Sequence, residues 1–343
     1  MKITLVKLGG IGDIVQLAIA LFAFKKKFPA VKVSWITSQS NAALIEAFGI
    51  ADQVIAIDDK KIFFGNPLNR VIHLFLAALK ITKLSYSNQK IVTAYVDWRY
   101  RLLTACMFWI PSIDFPQKQF NPMLQSRNRI YEYWRLLHSS NAYPETDLNV
   151  AKATLDFGHS FISEYEPLQN LSGLEKNTYV VLVPGGAKNI LRDDGLRRWP
   201  ISHYVELAKK LIEQNETVLI AGGPEDQWVR DDFMGLPVVD LVGKTSLLEL
   251  IHLLNDSKLT VVHDTGPMHL ACLTQAPMIA LFGPTPMNAI LPLGRTRTVG
   301  IQLGNQVACS PCYDGKNYAD CHDAVCMKSI SVDSVMQSIR ELI

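Results

Sequence analysis

The chain has 343 residues, of which 48% are hydrophobic and 19% charged, so it can bury two cores of ordinary domain size. No run approaches the roughly 20 uninterrupted apolar residues of a membrane span, and the first residues lack a signal-peptide cleavage pattern. Six cysteines, four of them close together near the end, do not form the disulfide grid of a small secreted domain. We therefore expect a soluble cytoplasmic protein.

Charge is distributed unevenly along the chain. Residues 1–150 contain 18 Lys and Arg against 10 Asp and Glu, a net charge of +8, whereas residues 151–343 contain 16 against 22, a net charge of −6. A basic half can attract an anionic acceptor or an anionic lipid surface, or it can be an ordinary solvated surface. No nucleic acid is expected as a partner, because the cationic triplet 25–27 ends a helix and no aromatic–basic interleaving follows it.

The first half alternates predicted strands and helices. An apolar strand over residues 3–8 leads through a glycine-rich turn into a helix that ends near residue 28. Further strands are predicted over 31–36, 53–57 and 91–96, and further helices over 41–48, 68–84, 101–108 and 128–138. An irregular stretch, 111–125, precedes the last of these helices. This β-α rhythm predicts a parallel sheet covered by helices on both faces.

The second half repeats the rhythm. Strands are predicted over 179–183, 218–221, 238–241, 258–262 and 278–281, and helices over 202–214, 225–234, 246–255, 267–273 and 332–342. The join falls between residues 143 and 177, a polar region with a predicted helix at its centre, and we set the domains at residues 1–165 and 166–343. The predicted fold class is α/β, with two Rossmann-like doubly wound domains whose crevices, at the carboxyl ends of the strands, face a central cleft.

A strand-to-helix junction in the second half is the most informative motif of the chain. The strand that ends near residue 262 is followed by Asp264, Thr265 and Gly266, and then by a helix that carries His269. Gly266 lets a ligand approach the backbone, and the unpaired N–H groups and dipole of the helix start favour an anion. His269 lies four residues after Thr265, so both face one side of the first turn. The alternative is a strand-to-helix turn without a ligand.

The eight residues from Asp264 to Ala271, DTGPMHLA, resemble the signature of glycosyltransferase family 9. In that family, best known for ADP-heptose lipopolysaccharide heptosyltransferases, the segment grips the diphosphate of a nucleotide-sugar. The resemblance covers most of the chain and implies the GT-B fold. It also implies an acceptor-binding first domain and a nucleotide-sugar-binding second domain, with a final helix that often packs back on the first.

The glycine-rich turn over residues 9–13 is unlike the dinucleotide-binding fingerprint. A register that starts at Gly10 puts Val15 in place of the third glycine, and the charge of Asp13 would repel a pyrophosphate. The resemblance to family 9 implies that Asp13 is the base that takes the proton of the acceptor hydroxyl. The alternative is that Asp13 caps the helix. Three glycines form the acceptor-side turn: Gly9, Gly10 and Gly12.

A cationic loop follows the strand over residues 179–183. It contains Lys188, Arg192, Arg197 and Arg198. Guanidinium groups suit phosphate oxygens, although the adjacent aspartates 193 and 194 would also fit a solvated loop. The resemblance of the Arg-Arg-Trp-Pro box to that of the family implies that Arg197 contacts the donor phosphate.

Two further strand ends carry donor-site residues. Glu225 and Asp226 follow a Gly-Gly-Pro turn, and either carboxylate can accept hydrogen bonds from ribose hydroxyls. Lys244 and Thr245 lie in a segment that resembles the one lining the nucleotide base in family 9, and that lacks the first glycine of a P-loop. The donor-binding residues are therefore predicted to be Lys188, Arg197, Glu225, Asp226, Lys244, Thr245, Asp264, Thr265, Gly266 and His269.

Four cysteines near the end follow the pattern Cys309-x2-Cys312-x8-Cys321-x4-Cys326. Thiols at this spacing could hold zinc or iron, or they could be reduced thiols that form a local disulfide on oxidation. Family 9 chains often have Cys-x-Pro-Cys here without a demonstrated metal requirement, so we favour thiols. No metal ligand and no cofactor is expected.

The resemblance implies an inverting glycosyltransferase that moves a heptose or related sugar from a nucleotide-diphosphate donor, such as ADP-heptose, to a lipopolysaccharide-core or similar cell-envelope glycan. The chain contains no Asp-x-Asp pair, with which metal-dependent transferases hold a cation on the diphosphate. Two alternatives stay open: a nucleotide-sugar 2-epimerase and a non-catalytic nucleotide-sugar-binding protein. A glycolipid acceptor would bring the protein into peripheral contact with the cytoplasmic face of the inner membrane.

Overall fold

The computed structural model describes residues 1–83, 89–95, 98–105, 110–114, 128–138, 148–164, 174–187, 193–291, 297–314 and 317–343. These residues form two compact units. The first lies within Met1–Asn121 and Arg129–Ala153, and the second within Pro122–Asn128 and Thr154–Ile343. Across the described ranges, no helix is both long enough and apolar enough to cross a membrane.

The first unit is built on a five-stranded parallel sheet. Its strands are β1 (Lys2–Val6), β2 (Lys32–Ser38), β3 (Gln53–Ile57), β4 (Gln89–Thr93) and β5 (Ser112–Asp114). The order is β3-β2-β1-β4-β5, and all pairs run parallel. The winding reverses between β1 and β4, which places a ligand crevice at the carboxyl ends of these two strands.

The helices of the first unit are α1 (Ile11–Lys27), α2 (Gln39–Ala47), α3 (Asp59–Phe64), α4 (Pro67–Thr82), α5 (Trp98–Thr104) and α6 (Arg129–His138), and α7 (Val150–Glu164) follows them. In α1, residues 14–21 form one unbroken buried run. A helix that is apolar nearly all round needs cover on several sides, and α6 supplies part of it.

The second unit contains a six-stranded parallel sheet. Its strands are β6 (Tyr179–Val183), β7 (Thr217–Ile220), β8 (Val239–Asp240), β9 (Leu259–His263), β10 (Met278–Phe282) and β11 (Thr298–Gln302), in the order β11-β10-β9-β6-β7-β8. Every residue of β6, β9 and β10 is buried, as expected of parallel strands covered on both faces. The winding reverses between β6 and β9, which defines a second crevice. The predicted α/β class with two doubly wound sheets is confirmed.

The helices of the second unit are α8 (Ile201–Glu213), α9 (Leu247–Asn255), α10 (Gly266–Ala271), α11 (Met287–Ile290), α12 (Val325–Lys328) and α13 (Val332–Leu342). The final helix packs beside α8, β10 and β11. Its apolar side chains belong to the core of this unit: Val332, Val335, Met336 and Ile339. The apolar stripe of α13 therefore faces its own unit.

The helix predicted over residues 225–234 is wrong. The chain forms two successive 3₁₀ turns there, Pro224–Val229 and Asp231–Phe233. The Asp226 amide donates to the Gly223 carbonyl, and the Asp226 carboxylate accepts from the Gly223 amide; together these bonds close the tighter turn. Five short elements were not predicted: α3, β5, α11, β11 and α12. The strand β5 has only three residues, and every residue of β11 is half-buried, so neither shows a clear apolar run.

Candidate functional site

The turn after β1 carries an ion pair at the crevice of the first unit. The Lys7 Nζ lies 2.7 Å from the Asp13 Oδ2, and the two side chains are 1% and 29% exposed. The Tyr133 hydroxyl, on α6, donates to the other oxygen, Oδ1, at 2.9 Å. The Lys7 Nζ also lies 4.5 Å from the centre of the Tyr95 ring. Asp13 is thus held by two donors and remains partly open to solvent.

The protonation state of this cluster follows from its contacts. Burial would raise the pKa of Asp13, but Lys7, Arg129 and the Tyr133 hydrogen bond outweigh it and lower this pKa to about 2. Burial lowers the pKa of Lys7, against the opposing effect of Asp13. Burial, and then the charge of Asp13, raise the pKa of Tyr133 well above its ordinary value. At neutral pH Asp13 is therefore an anion and Tyr133 a neutral donor.

The alternative role of Asp13 as a helix cap is contradicted by the geometry. The N-cap of α1 is Gly10, and no side chain caps this helix. Gly10 has φ +77°, and a Cβ there would lie 3.0 Å from the Asp13 Oδ2. A glycine at this position therefore leaves room for the carboxylate. At Gly9, by contrast, a Cβ would meet nothing within 4 Å. The acceptor-side role of Gly9, Gly10 and Gly12 stays a prediction.

In the second unit, the turns after four strands meet at the carboxyl edge of the sheet. A Cβ at Gly186, after β6, would lie 3.1 Å from the Thr265 Cγ2, after β9. The Gly243 amide, after β8, donates to the Gly222 carbonyl, after β7, at 2.9 Å. The predicted donor-binding segments therefore converge, on both sides of the crevice between β6 and β9.

Asp226 locks two of these turns together. Its Oδ1 accepts from the Gly186 amide at 2.7 Å, and its Oδ2 accepts from the Gly223 amide at 2.8 Å. The residue is only 7% exposed, and Cβ atoms at Gly185 or Gly222 would press against it. Each of its oxygens therefore already accepts a hydrogen bond from a backbone amide.

Glu225, next to Asp226, is exposed. It lines an open cleft of about 230 Å³, together with Asp193, Arg198, Asp226 and Trp228. Of the two carboxylates that the sequence offered for the ribose, Glu225 is the one that is not bound to the backbone of the neighbouring turns.

Arg197 and Asp264, predicted separately as donor-binding residues, lie together. The Arg197 Nη1 is 3.5 Å from the Asp264 Oδ2, and its Nη2 is 3.3 Å from the Asp194 Oδ2. Burial opposes the charge on Arg197, but Asp264 and the other anions nearby prevail and raise its pKa. Two carboxylates therefore share the positive charge of Arg197 and fix its direction.

The Trp-Pro part of the box anchors this arginine. Trp199 is 1% exposed, and its indole N–H donates to the Ile330 carbonyl at 2.9 Å. A buried indole needs such an acceptor, so Trp199 fixes the end of the cationic loop to the core.

The structure places at these sites several residues for which the sequence indicated no individual role. The Arg198 Nε donates to the Gly186 carbonyl at 2.9 Å, and its guanidinium lies 5.5 Å from the centre of the Trp228 ring. In the first unit the missed residues are Lys7 and Tyr133. The basic residues Lys7 and Arg198 lie within motifs that the sequence shows. The aromatic residues Tyr133 and Trp228 had no local sequence signal.

The remaining predicted residues are distributed around the same edge. The Lys244 Nζ donates to the Asp240 carbonyl at 2.6 Å and is 55% exposed, and Thr245 is half-buried beside it. The Thr265 hydroxyl donates to the His263 carbonyl at 3.2 Å. His269 is 7% exposed within α10, which begins at Gly266. Lys188 and Arg192 lie outside the described residues.

The four cysteines near the end are all free thiols. Cys309 is exposed, Cys312 and Cys321 are half-buried, and Cys326 is buried. Burial, and then Cys312, raise the pKa of Cys326 to about 11, so its thiol stays protonated at neutral pH. Within the described part of the chain, no group of three or more His, Cys, Asp or Glu side chains is arranged to hold a metal ion.

Comparison with known proteins matches these observations. The model of glycosyltransferase family 9 (heptosyltransferase) matches residues 98–322. Lipooligosaccharide heptosyltransferase 2 of Haemophilus influenzae is 36% identical over 110 residues, which cover 30% of this chain and 32% of that protein. The chain thus spans about a third of the length of this curated relative.

Solved structures resemble the chain over its whole length. E. coli ADP-heptose lps heptosyltransferase II has a TM-score of 0.69 and 16% identity, and the match covers 100% of this chain and 98% of that one. The Methanocaldococcus jannaschii UDP-GlcNAc 2-epimerase has a lower TM-score of 0.50, with 14% identity over 100% and 92% of the two chains. The fold is GT-B, and the chain belongs to glycosyltransferase family 9.

Proposed function

We propose that this protein is an inverting glycosyltransferase that moves a heptose or related sugar from a nucleotide-diphosphate donor to a cell-envelope glycan. The observation that carries the proposal is the Asp13 carboxylate, kept ionised by Lys7 and Tyr133 at the β1/β4 crevice. A protein that only binds a nucleotide-sugar needs no such carboxylate. The relatives named as lipooligosaccharide and ADP-heptose heptosyltransferases support a heptose donor and a lipopolysaccharide-core acceptor.

In this reaction the acceptor hydroxyl oxygen attacks the anomeric carbon while the bond from that carbon to the diphosphate oxygen breaks. The acceptor proton passes to a carboxylate oxygen of Asp13. The electron pair of the broken bond leaves with the nucleoside diphosphate, which gains a negative charge. Inversion follows because attack and departure occur on opposite faces of the sugar.

The diphosphate is proposed to bind at the β6/β9 crevice. The start of α10 offers backbone N–H groups there, and Arg197, oriented by Asp264 and Asp194, offers a guanidinium. Glu225 is proposed to accept hydrogen bonds from the ribose hydroxyls, because it is exposed at the cleft, whereas Asp226 is buried and each of its oxygens already accepts from an amide. These groups stabilise the leaving diphosphate electrostatically, so we propose that transfer needs no divalent metal and survives EDTA.

A donor assay with and without acceptor tests the function. The purified protein is incubated with ADP-heptose, alone or with a lipopolysaccharide core that lacks heptose, and ADP release and acceptor mass are measured. We expect ADP release that depends on the acceptor, together with an acceptor heavier by one heptose. Conversion of the donor without an acceptor would identify an epimerase, and binding without turnover would identify a binding protein.

The acceptor can be identified independently. Mass spectrometry of the glycan that accumulates in a deletion strain shows the structure to which the next sugar is not added. A glycan truncated at a heptose of the lipopolysaccharide core is expected. Such an acceptor is a glycolipid, and we propose that the protein meets it in peripheral contact with the cytoplasmic face of the inner membrane.

A further inference from the structure

Helix α4 presents an apolar stripe to solvent. Six of its large apolar side chains are between 44% and 70% exposed: Leu68, Val71, Ile72, Phe75, Leu76 and Leu79. Their spacing of three and four residues puts them on one side of the helix. The buried residues of α4 are Ala77 and Ile81, which lie on the opposite side. Hence the helix covers its unit with one face and presents the other to water.

This concentration of exposed apolar surface is local. Among the described residues, fifteen large hydrophobic side chains are exposed, and seven of them lie between Phe64, at the end of α3, and Leu79. Single exposed apolar residues are ordinary on protein surfaces, but a contiguous patch marks an interaction site. The segment that carries this patch therefore requires a partner that offers apolar surface.

The charge around the stripe indicates what that partner is. From the first residue of α3 to Lys83 there is a single acidic residue, Asp59, against five exposed cations: Lys60, Lys61, Arg70, Lys80 and Lys83. An apolar helix face flanked by cations complements the interface of an anionic bilayer. A second copy of the chain, packed symmetrically through the same face, would bring these like charges together.

The position of the segment in the sheet also fits a membrane. α3 begins two residues after the end of β3, at the same edge of the parallel sheet as the turn after β1 that carries Asp13. β3 and β1 are separated only by β2, so the two strand ends are roughly 10 Å apart. A bilayer that contacts this segment therefore lies beside the crevice of the first unit.

We propose that α3 and α4 form a membrane-docking surface for anionic lipid. The stripe inserts at the level of the headgroups and upper acyl chains, while the flanking cations contact lipid phosphates. The docking itself rests on the geometry and charge of this segment. Only its benefit, the delivery of a glycolipid acceptor to Asp13, rests on the proposed transferase function.

Vesicle sedimentation of the full-length protein tests the proposal. One set of vesicles contains phosphatidylglycerol and phosphatidylcholine, and the other contains phosphatidylcholine alone. The stripe variant is Phe75→Glu with Leu79→Glu. Its matched control is Met234→Glu with Val325→Glu, because Met234 and Val325 are exposed apolar residues of the second unit, 80% and 45% exposed. Circular dichroism and the melting temperature confirm that each variant folds.

We expect the parent to bind the anionic vesicles, with the partition coefficient at least tenfold lower for the stripe variant and unchanged for the control. Replacing Lys60 and Lys83 by Gln should lower binding about fivefold per charge, and added salt should weaken it. No binding of the parent to anionic vesicles, or equal binding by the stripe variant, overturns the proposal.

A second copy as the occupant has its own signature. Analytical ultracentrifugation that shows a parent dimer and a monomeric stripe variant would overturn the membrane proposal in favour of a dimer interface. Failure of the proposed transferase function is separable, because vesicle binding is measured without donor or acceptor. If the protein binds anionic vesicles through the stripe but transfers no sugar, the docking proposal is supported and the proposed transferase function is wrong.

Discussion

Two turns of this protein share the spacing Gly-Gly-x-x-Asp, one in each unit. The first, residues 9–13, follows β1, and the second, residues 222–226, follows β7. In the first turn the aspartate is held by side chains, Lys7 and Tyr133. In the second it is held by the backbone amides of Gly186 and Gly223. The same short pattern thus supports two different uses of a carboxylate.

The difference lies in what the carboxylate can still do. Backbone amides cannot move away without unfolding a turn, so Asp226 is a fixed link between loops. Asp13 is bonded to side chains instead, its own side chain is 29% exposed, and an incoming hydroxyl can reach it. We therefore propose that Asp13 serves catalysis and that Asp226 serves the structure of the loops.

The largest expected effect is that of Asp13→Asn, which tests the catalytic half of this comparison. The amide cannot accept the acceptor proton, so turnover should fall by about 100-fold or more, the scale of general-base catalysis. The dissociation constant for ADP should change no more than a few-fold. Steady-state kinetics and calorimetry measure the two quantities. Near-normal turnover of the variant would show that Asp13 is not the general base.

The structural half is tested by Asp226→Asn. In this variant either the Gly186 or the Gly223 amide would face the side-chain NH₂ group instead of an oxygen and would lose its hydrogen bond. The free energy of unfolding should therefore fall by about 2 kcal/mol. Urea denaturation measures the loss, and Asp232→Asn, at an exposed aspartate of the following 3₁₀ turn, is the matched control. A variant as stable as its control would show that the amide bonds of Asp226 contribute nothing.

A smaller effect is expected from Lys7→Met, which removes the strongest of the contacts that lower the pKa of Asp13. Burial then acts with less opposition, so this pKa rises above about 2. The base must be ionised, and activity is lost as pH falls through its pKa. The acid limb of kcat/KM should therefore move to higher pH in the variant.

A pH profile of kcat/KM, taken where circular dichroism shows both proteins folded, checks this shift. Lys26→Met, at an exposed lysine of α1, controls for the loss of a positive charge. If the acid limbs of Lys7→Met and the parent coincide, Lys7 does not set the protonation of Asp13.

The strands and the strand-end motifs could be predicted because apolar runs and glycine-rich turns are local signals. The partners of the two aspartates could not. Tyr133 lies 120 residues from Asp13, and Gly186 lies 40 residues from Asp226, so each pairing exists only once the helices and turns have packed. The predicted helix over 225–234 failed for a local reason, because apolar periodicity does not distinguish an α-helix from the two successive 3₁₀ turns that the chain forms there.

The smallest expected effect concerns Glu225, the neighbour of the structural aspartate. We propose that the ribose hydroxyls bind Glu225, which is exposed at the cleft, because each oxygen of the buried Asp226 already accepts from an amide. Glu225→Gln weakens acceptance of those hydrogen bonds without emptying the site, so the dissociation constant for ADP should rise about fivefold, equivalent to about 1 kcal/mol. Calorimetry with ADP measures the change, and Glu213→Gln, an exposed glutamate of α8, is the control. If ADP affinity is unchanged in Glu225→Gln but weakened in a folded Asp226→Asn, the ribose contact belongs to Asp226. Asp226 would then bind a ligand as well as the backbone, and the contrast between a catalytic and a purely structural aspartate would be wrong.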